Sequence, residues 1–150
     1  MLLVIAVCLP LIHWDDYSHE ERAVAAVLMG EALSEGVLGM TAVAEVIHQR
    51  SKEKGWSPLR VVSFHRGDVH AFSCLNETTM KRLLRRYQGE RDFELALRIA
   101  RMACHTPEDL PGITGLANHY AGVDIIPFWA EGIEPVAVVG SHAFYRLDRY

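Results

Sequence analysis

Helical periodicity carries this chain from residue 19 to residue 104 and then stops at Pro107 and Pro111. Proline lacks the amide proton that a helix interior uses, and its ring clashes with the preceding turn, so the last helix cannot continue through either position. Beyond Pro111, glycines recur at Gly112, Gly115, Gly122, Gly132 and Gly140 between short segments. Residues 116–120 and 141–146 read as strands, with 135–139 as a third. The expectation is a mainly helical α+β fold with a small C-terminal antiparallel sheet. No long linker interrupts it, so residues 15–150 read as one domain behind an apolar segment at 1–14. The 150 residues, 50% hydrophobic and 23% charged, suffice for one real core.

The helical part divides at its caps. Ser18 and Glu21 form a capping box, with Asp15 and Asp16 adding negative charge at the helix start. The first helix runs from residue 19 to 33 or 34, and Gly36 helps to end it. Met40, Val43, Ala44 and Ile47 make the stripe of a second helix, which stops at Gly55. These two read as an antiparallel pair joined by a turn over 35–39. Ser57-Pro58 starts a short helix through Val61, Val62 and Phe64, with Gly67 as its stop. A loop over 68–75 carries Phe72 and Ser73. Asn76 caps a helix over 77–88, and residues 92–104 form the last, with Leu95, Ala96 and Ile99 inward.

One residue breaks the apolar pattern. Val24, Val27 and Leu28 fall at i, i+3 and i+4 of a core-facing stripe, and the i+7 member is Glu31. Burial disfavours an ionised carboxylate, so a glutamate here is expected to hold its proton nearer neutral pH, as a general acid requires. The other reading is a structural glutamate hydrogen-bonded to a neighbouring loop. Glu35, one turn on, reads as a solvated helix-end residue, and Glu45, off the second stripe, as a surface charge.

Other chemistries find less support. A net charge of −4 argues against a broad affinity for nucleic acid. The run Lys81, Arg82, Arg85 and Arg86 has acidic neighbours and reads as a solvated helix face. Cys74 and Cys104 either pair in an oxidising compartment or stay as two buried thiols; with Cys8 they make no CxxC. The eight histidines form no compact ligand motif: His65 and His70 are five apart, while His105, His119 and His142 are scattered. His119 and His142, on expected strands, line a polar groove or satisfy local hydrogen bonds, and His13, His19 and His48 face solvent. There is no GxSxG elbow and no phosphate-binding glycine loop, so no cofactor is expected, and without a compact ligand motif such as HExxH a zinc site has little support. The first dozen residues are too short for a normal membrane-spanning helix. Their length suits a signal-peptide core, although a basic leader and a small-residue cleavage site are missing, and export to the cell envelope is the reading taken.

The aromatic residues Phe72, Tyr120, Phe128, Trp129 and Tyr145 stand beside asparagine, histidine and serine, a composition that suits a pyranose ring. Phe128 and Tyr145 read as ordinary core aromatics. Trp129 sits in a Gly- and Pro-rich loop where partial exposure is expected.

Several segments in order resemble the SleB-type spore cortex-lytic family of bacterial cell-wall hydrolases. They are Gly30-Glu31-Ala32, Ala42-Val43-Ala44, Gln49-Arg50, Phe72-Ser73, Asn118-His119-Tyr120, Trp129 and the closing run from Gly140 to Tyr145. Met40 and Gln49 depart from the family's usual glutamine and asparagine. The resemblance implies a fold similar to lysozyme-like lytic transglycosylases, with Glu31 as the catalytic residue. It also implies a peptidoglycan glycan strand as substrate, cleaved between N-acetylmuramic acid and N-acetylglucosamine with 1,6-anhydro ends formed. Phe72, Ser73, Asn118, His119, Tyr120, Trp129 and His142 are then the expected substrate-binding residues. Two other classes stay open: a metal-dependent amidase or peptidase using the histidines, and a non-catalytic glycan-binding module.

Overall fold

Ser18 Oγ accepts the Glu21 amide at 3.2 Å, and the Glu21 carboxylate accepts the Ser18 amide at 2.6 Å, closing the expected capping box. It launches α1 (His19–Ala32) in the computed structural model, which describes residues 13–148. The apolar N-terminal segment, with its export signal reading and Cys8, therefore lies almost wholly outside the described residues. From Ala23 to Met29 every side chain of α1 is buried, so the helix is central and has no solvent face over those turns. It packs against α2 (Gly36–Lys54), α3 (Pro58–Ser63), α4 (Met80–Tyr87) and α5 (Arg91–His105). The run His19–Lys54 is long and apolar enough by composition to cross a membrane, but its apolar residues from Ala23 to Ile47 largely fill this core.

The turn expected over 35–39 is shorter than its glycines imply. A 3-10 turn at Leu33–Glu35 leads directly into α2 at Gly36, whose φ of 63° is the left-handed conformation that glycine takes without strain. Gly39 lies inside the helix, where any Cβ would run into the Glu35 side chain. Helix α4 starts three residues later than its expected start at residue 77. Thr79 Oγ1 caps it at 3.3 Å from the Arg82 amide, because Asn76 Oδ1 is occupied by the His70 amide at 2.8 Å. Helix α5 ends at His105, before Pro107, as the proline requires.

Two sheets complete the fold among the described residues. A hairpin of β1 (His65–Arg66) and β2 (Val69–His70) turns at Gly67, the residue read from sequence as a helix stop. The C-terminal sheet is antiparallel with order β3-β5-β4, from β3 (His119–Gly122), β4 (Ala137–Val139) and β5 (His142–Tyr145). His119 pairs with Tyr145 and Gly122 with His142. Phe144 and Val139 join Ala42 and Val46 of α2 and Ala117 in a second cluster that docks the sheet on the helices.

A buried carboxylate anchors the segment leading into this sheet. Glu45 is 7% exposed, which overturns its reading as a surface charge. Its oxygens accept the amides of Gly112, Ile113 and Thr114 at 2.7, 3.0 and 2.8 Å, and the Thr114 hydroxyl at 2.7 Å. A carboxylate can be buried here because loop amides replace the water it loses. Phe128 departs from expectation in the other direction. Read as a core aromatic, it is 90% exposed at the start of a 3-10 turn, Phe128–Ala130, whereas Tyr145 is buried as expected.

Candidate active site

Glu31 occupies the last turn of α1, half-buried, with three donors converging on its carboxylate. The Cys74 amide donates to Oε1 at 2.7 Å, and the Tyr120 phenol donates to Oε2 at 2.8 Å. Ser73 Oγ bridges both oxygens at 3.1 and 3.3 Å. Ser73 and Cys74 belong to a 3-10 turn, Ser73–Leu75, and Tyr120 to β3, so helix, turn and sheet meet at this carboxylate.

The donors are not equivalent. An amide can only donate, so Oε1 is fixed as an acceptor. The two hydroxyls at Oε2 can donate or accept, and Oε2 is therefore the oxygen that can carry a proton without leaving a partner unsatisfied. Burial and the adjacent Glu31 charge push the Tyr120 phenol well above its ordinary range, so it keeps its proton at any working pH. The same two causes push the Cys74 thiol up, leaving it a neutral packing group and no nucleophile.

The approach of Cys74 explains the glycine before Glu31. A Cβ on Gly30 would lie 2.7 Å from Cys74 Cβ and 2.9 Å from Cys74 Sγ. Only glycine lets the turn come close enough for its amide to reach Oε1.

A second carboxylate lies one helical turn on, and it is not solvated. The Glu35 side chain is 7% exposed and accepts both the amide of Ser141, at 2.9 Å, and the Ser141 hydroxyl. His142 Nδ1 stands 3.5 Å from its Oε1. The Ser141 hydroxyl bond, outweighing partial burial, holds the Glu35 carboxyl below its ordinary range. Gly140, at φ 56°, turns the β4–β5 connection tightly over it, and a Cβ there would strike Glu35 Oε2. The His142 ring meets the Tyr120 ring edge-on, centroids 5.4 Å apart, so a continuous path joins Glu35 to Glu31.

The remaining expected site residues separate into two groups. Trp129 and His119 pack ring on ring, centroids 5.0 Å apart, and with Tyr120 they line a cleft of about 370 Å³. Burial, with the positive charge of Arg50, lowers the His119 imidazole to about 4, so it is neutral at physiological pH. Phe72 and Asn118 are fully buried and out of reach of a ligand. Asn118 donates to Glu53 Oε2 at 3.0 Å and to the Leu147 carbonyl at 2.7 Å, and it accepts the Leu147 amide at 2.9 Å. It ties β3 to the end of the described chain. Phe72 underlies Arg50, whose guanidinium lies 5.3 Å from its ring centre.

Sequence reading missed the cleft's other walls, Arg50, Lys54, Trp56, Phe64 and Arg66. They come from α2, from the loops flanking α3 and from the β1 strand, and no motif spans them. Among the described residues, no group of three or more His, Cys, Asp or Glu side chains could hold a metal ion. Cys74 and Cys104 are separate free thiols, the second pushed up to about 12 by burial.

No curated protein and no solved structure matches the chain detectably. A family model described as Cell Wall Hydrolase matches residues 34–145, a span that includes Ser73, Tyr120, Trp129 and His142 and begins three residues after Glu31. The match covers well over half of the 150 residues, and the chain therefore belongs to the SleB-type Cell Wall Hydrolase family, enzymes that act on peptidoglycan.

Proposed function

We propose that the protein cleaves peptidoglycan glycan strands between N-acetylmuramic acid and N-acetylglucosamine, with Glu31 as the one catalytic residue. The observation that carries this reading is the asymmetric bonding of Glu31: Oε1 is pinned by an amide, and Oε2 faces only hydroxyls. Protonated at Oε2, Glu31 donates to the glycosidic oxygen as the bond from muramoyl C1 to that oxygen breaks. The resulting carboxylate takes the proton of the muramoyl 6-hydroxyl, whose oxygen closes on C1. The proton returns to Glu31 and no water is consumed, so the product is a 1,6-anhydro end and the enzyme acts as a lytic transglycosylase. A second catalytic carboxylate, required by most glycosidases, has no part in this route. Glu35 is engaged by Ser141 and His142, which supports the one-carboxylate reading.

Ser73, Tyr120, His142, His119 and Trp129 form the glycan-contacting surface in this reading. Phe72 and Asn118 support it from beneath. Residues 15–150 act as one catalytic domain, in a lysozyme-like arrangement of helices and small sheet, and the site of action is the cell envelope.

The test is digestion of purified peptidoglycan by wild type and by Glu31→Gln, with fragments identified by mass spectrometry. Anhydro-muropeptides from wild type and none from the variant are expected. Free stem peptides from the wild type, or an equally active variant, would overturn the proposal.

A further inference from the structure

The hairpin beside the cleft is built from two residues per strand, and a two-stranded ribbon is marginal by itself in water. Yet Phe64, Arg66 and Ala71, on or next to its strands, all line the cleft. His65 and His70 are paired directly across this hairpin, with ring centres 5.2 Å apart and ring planes at 44°. Side chains at directly opposed positions share one face of the ribbon.

The two rings differ in what satisfies their nitrogens. His65 Nδ1 lies 2.9 Å from the Gly67 carbonyl. A carbonyl only accepts, so Nδ1 carries the proton and the lone pair is left on Nε2. A bond of this kind fixes the tautomer and orientation of a metal-ligating imidazole. His70 Nδ1 is buried, and among the described residues it is the only buried side-chain nitrogen or oxygen with no hydrogen-bond partner. A polar atom so placed is costly unless another group engages it. The spacing of the rings suits a shared ion: two imidazoles bonded at about 2.0–2.1 Å and a tetrahedral angle have ring centres roughly 5 Å apart.

We propose that His65 and His70 form a site for a divalent, imidazole-seeking transition-metal ion such as Zn²⁺. His65 Nε2 and His70 Nδ1 are its protein ligands, and water completes the shell. His65 is exposed, so the ion reaches the pair from solvent. Two protein ligands are fewer than the three of a catalytic zinc site. The ion therefore binds reversibly and takes no part in glycan cleavage. It cross-links the two strands and braces the cleft wall they form. Glu31 has no part in this site.

The test is calorimetric titration of the tag-free chain with Zn²⁺ in a buffer that does not bind metal. One ion per chain is expected. Its affinity should fall about tenfold or more in His65→Gln and in His70→Gln. His19→Gln, at an exposed histidine on α1, should leave it unchanged. Melting curves without metal verify that the variants fold. Zn²⁺ should raise the melting temperature of wild type and of Glu31→Gln, but not of His70→Gln. In wild type, where no substitution intervenes, the ring resonances of His65 and His70 should shift together during the titration. No saturable binding up to about 1 mM, binding indifferent to both substitutions, or shifts confined to other histidines would overturn the proposal.

Discussion

The Tyr120 phenol donates to Glu31 Oε2 at 2.8 Å across a separation of 89 residues, linking the end of the central helix to the first strand of the C-terminal sheet. The bond works as a docking contact and as part of the proposed chemistry. It settles β3 against α1, and it is one of the two hydroxyls at the oxygen proposed to carry the proton.

Tyr120→Phe removes that hydroxyl and keeps the ring that packs on Phe144 and His142. The loss of one hydrogen bond to a charged acceptor is worth about 1.5–3 kcal/mol. Transferred to the transition state, this predicts a fall in glycan cleavage of roughly 10- to 100-fold. Because the phenol titrates well above its ordinary range, it stays protonated across the whole acid and neutral range and its own ionisation does not shape the pH profile. Initial rates of muropeptide release measure the fall, and an unchanged rate in Tyr120→Phe contradicts the prediction.

Gly30→Ala tests the contact behind Glu31. In an ordinary helix this change is favourable by about 1 kcal/mol. Here the new methyl meets Cys74 Cβ at 2.7 Å, so the turn must retreat and carry its amide away from Glu31 Oε1. The expected result is a lower melting temperature together with lost activity. Adding Cys74→Gly removes the obstructing Cβ and should recover part of the activity, which a general folding defect would not do.

Much of this arrangement could be read from local pattern, because local pattern is what caps and periodicity report. The Ser18–Glu21 box, the stop before Pro107 and the three C-terminal strands depend on neighbours in sequence, and Glu31 stands out against Val24, Val27 and Leu28. Glu35 and Glu45 were misjudged because their partners, Ser141 and Thr114, lie 106 and 69 residues away. At a helix end or off an apolar stripe, a carboxylate gives no sign that distant amides will solvate it. The β1–β2 hairpin has only two residues per strand, too few for alternation to show. Phe72 and Asn118 belong to the segments that carry the family likeness, but fully buried they hold the site in place without touching what it binds.

The Glu35–Ser141 clamp predicts that the β4–β5 connection is held from the 3-10 turn that leads into α2. Gly140→Ala places a Cβ against Glu35 Oε2 and forces a left-handed φ on an alanine, a strain of about 1 kcal/mol or more before the clash is counted. His142 follows Ser141 directly, so its ring should move from its edge contact with Tyr120. Stability and activity should both fall in Gly140→Ala. In Glu35→Gln the loss should be smaller, since an amide still accepts one of the two bonds from Ser141. A Glu35→Gln enzyme as inactive as Glu31→Gln would mean that the second carboxylate takes part in the chemistry.

Acid stability offers a test that needs no substrate. His119 titrates at about 4 in the fold and at 6.5 in a free chain, since burial and Arg50 disfavour its charged form. Above pH 6.5 both states are neutral and the fold carries no penalty. Between 6.5 and about 4 the unfolded chain binds a proton that the folded chain refuses, so stability falls with pH across that window, by at most about 3 kcal/mol. His48, lowered by burial and Lys52, slopes the same way. Glu35 enters later: its depressed carboxyl contributes stability above 4.5 that is lost only as pH falls below that value. His119→Gln should therefore flatten part of the decline between pH 6.5 and 4.5 and leave the steeper loss below 4.5 in place. Urea midpoints at pH 7.5, 5.5 and 4.5 measure this directly, and equal slopes for wild type and variant over that interval would show that His119 is not held neutral by the fold.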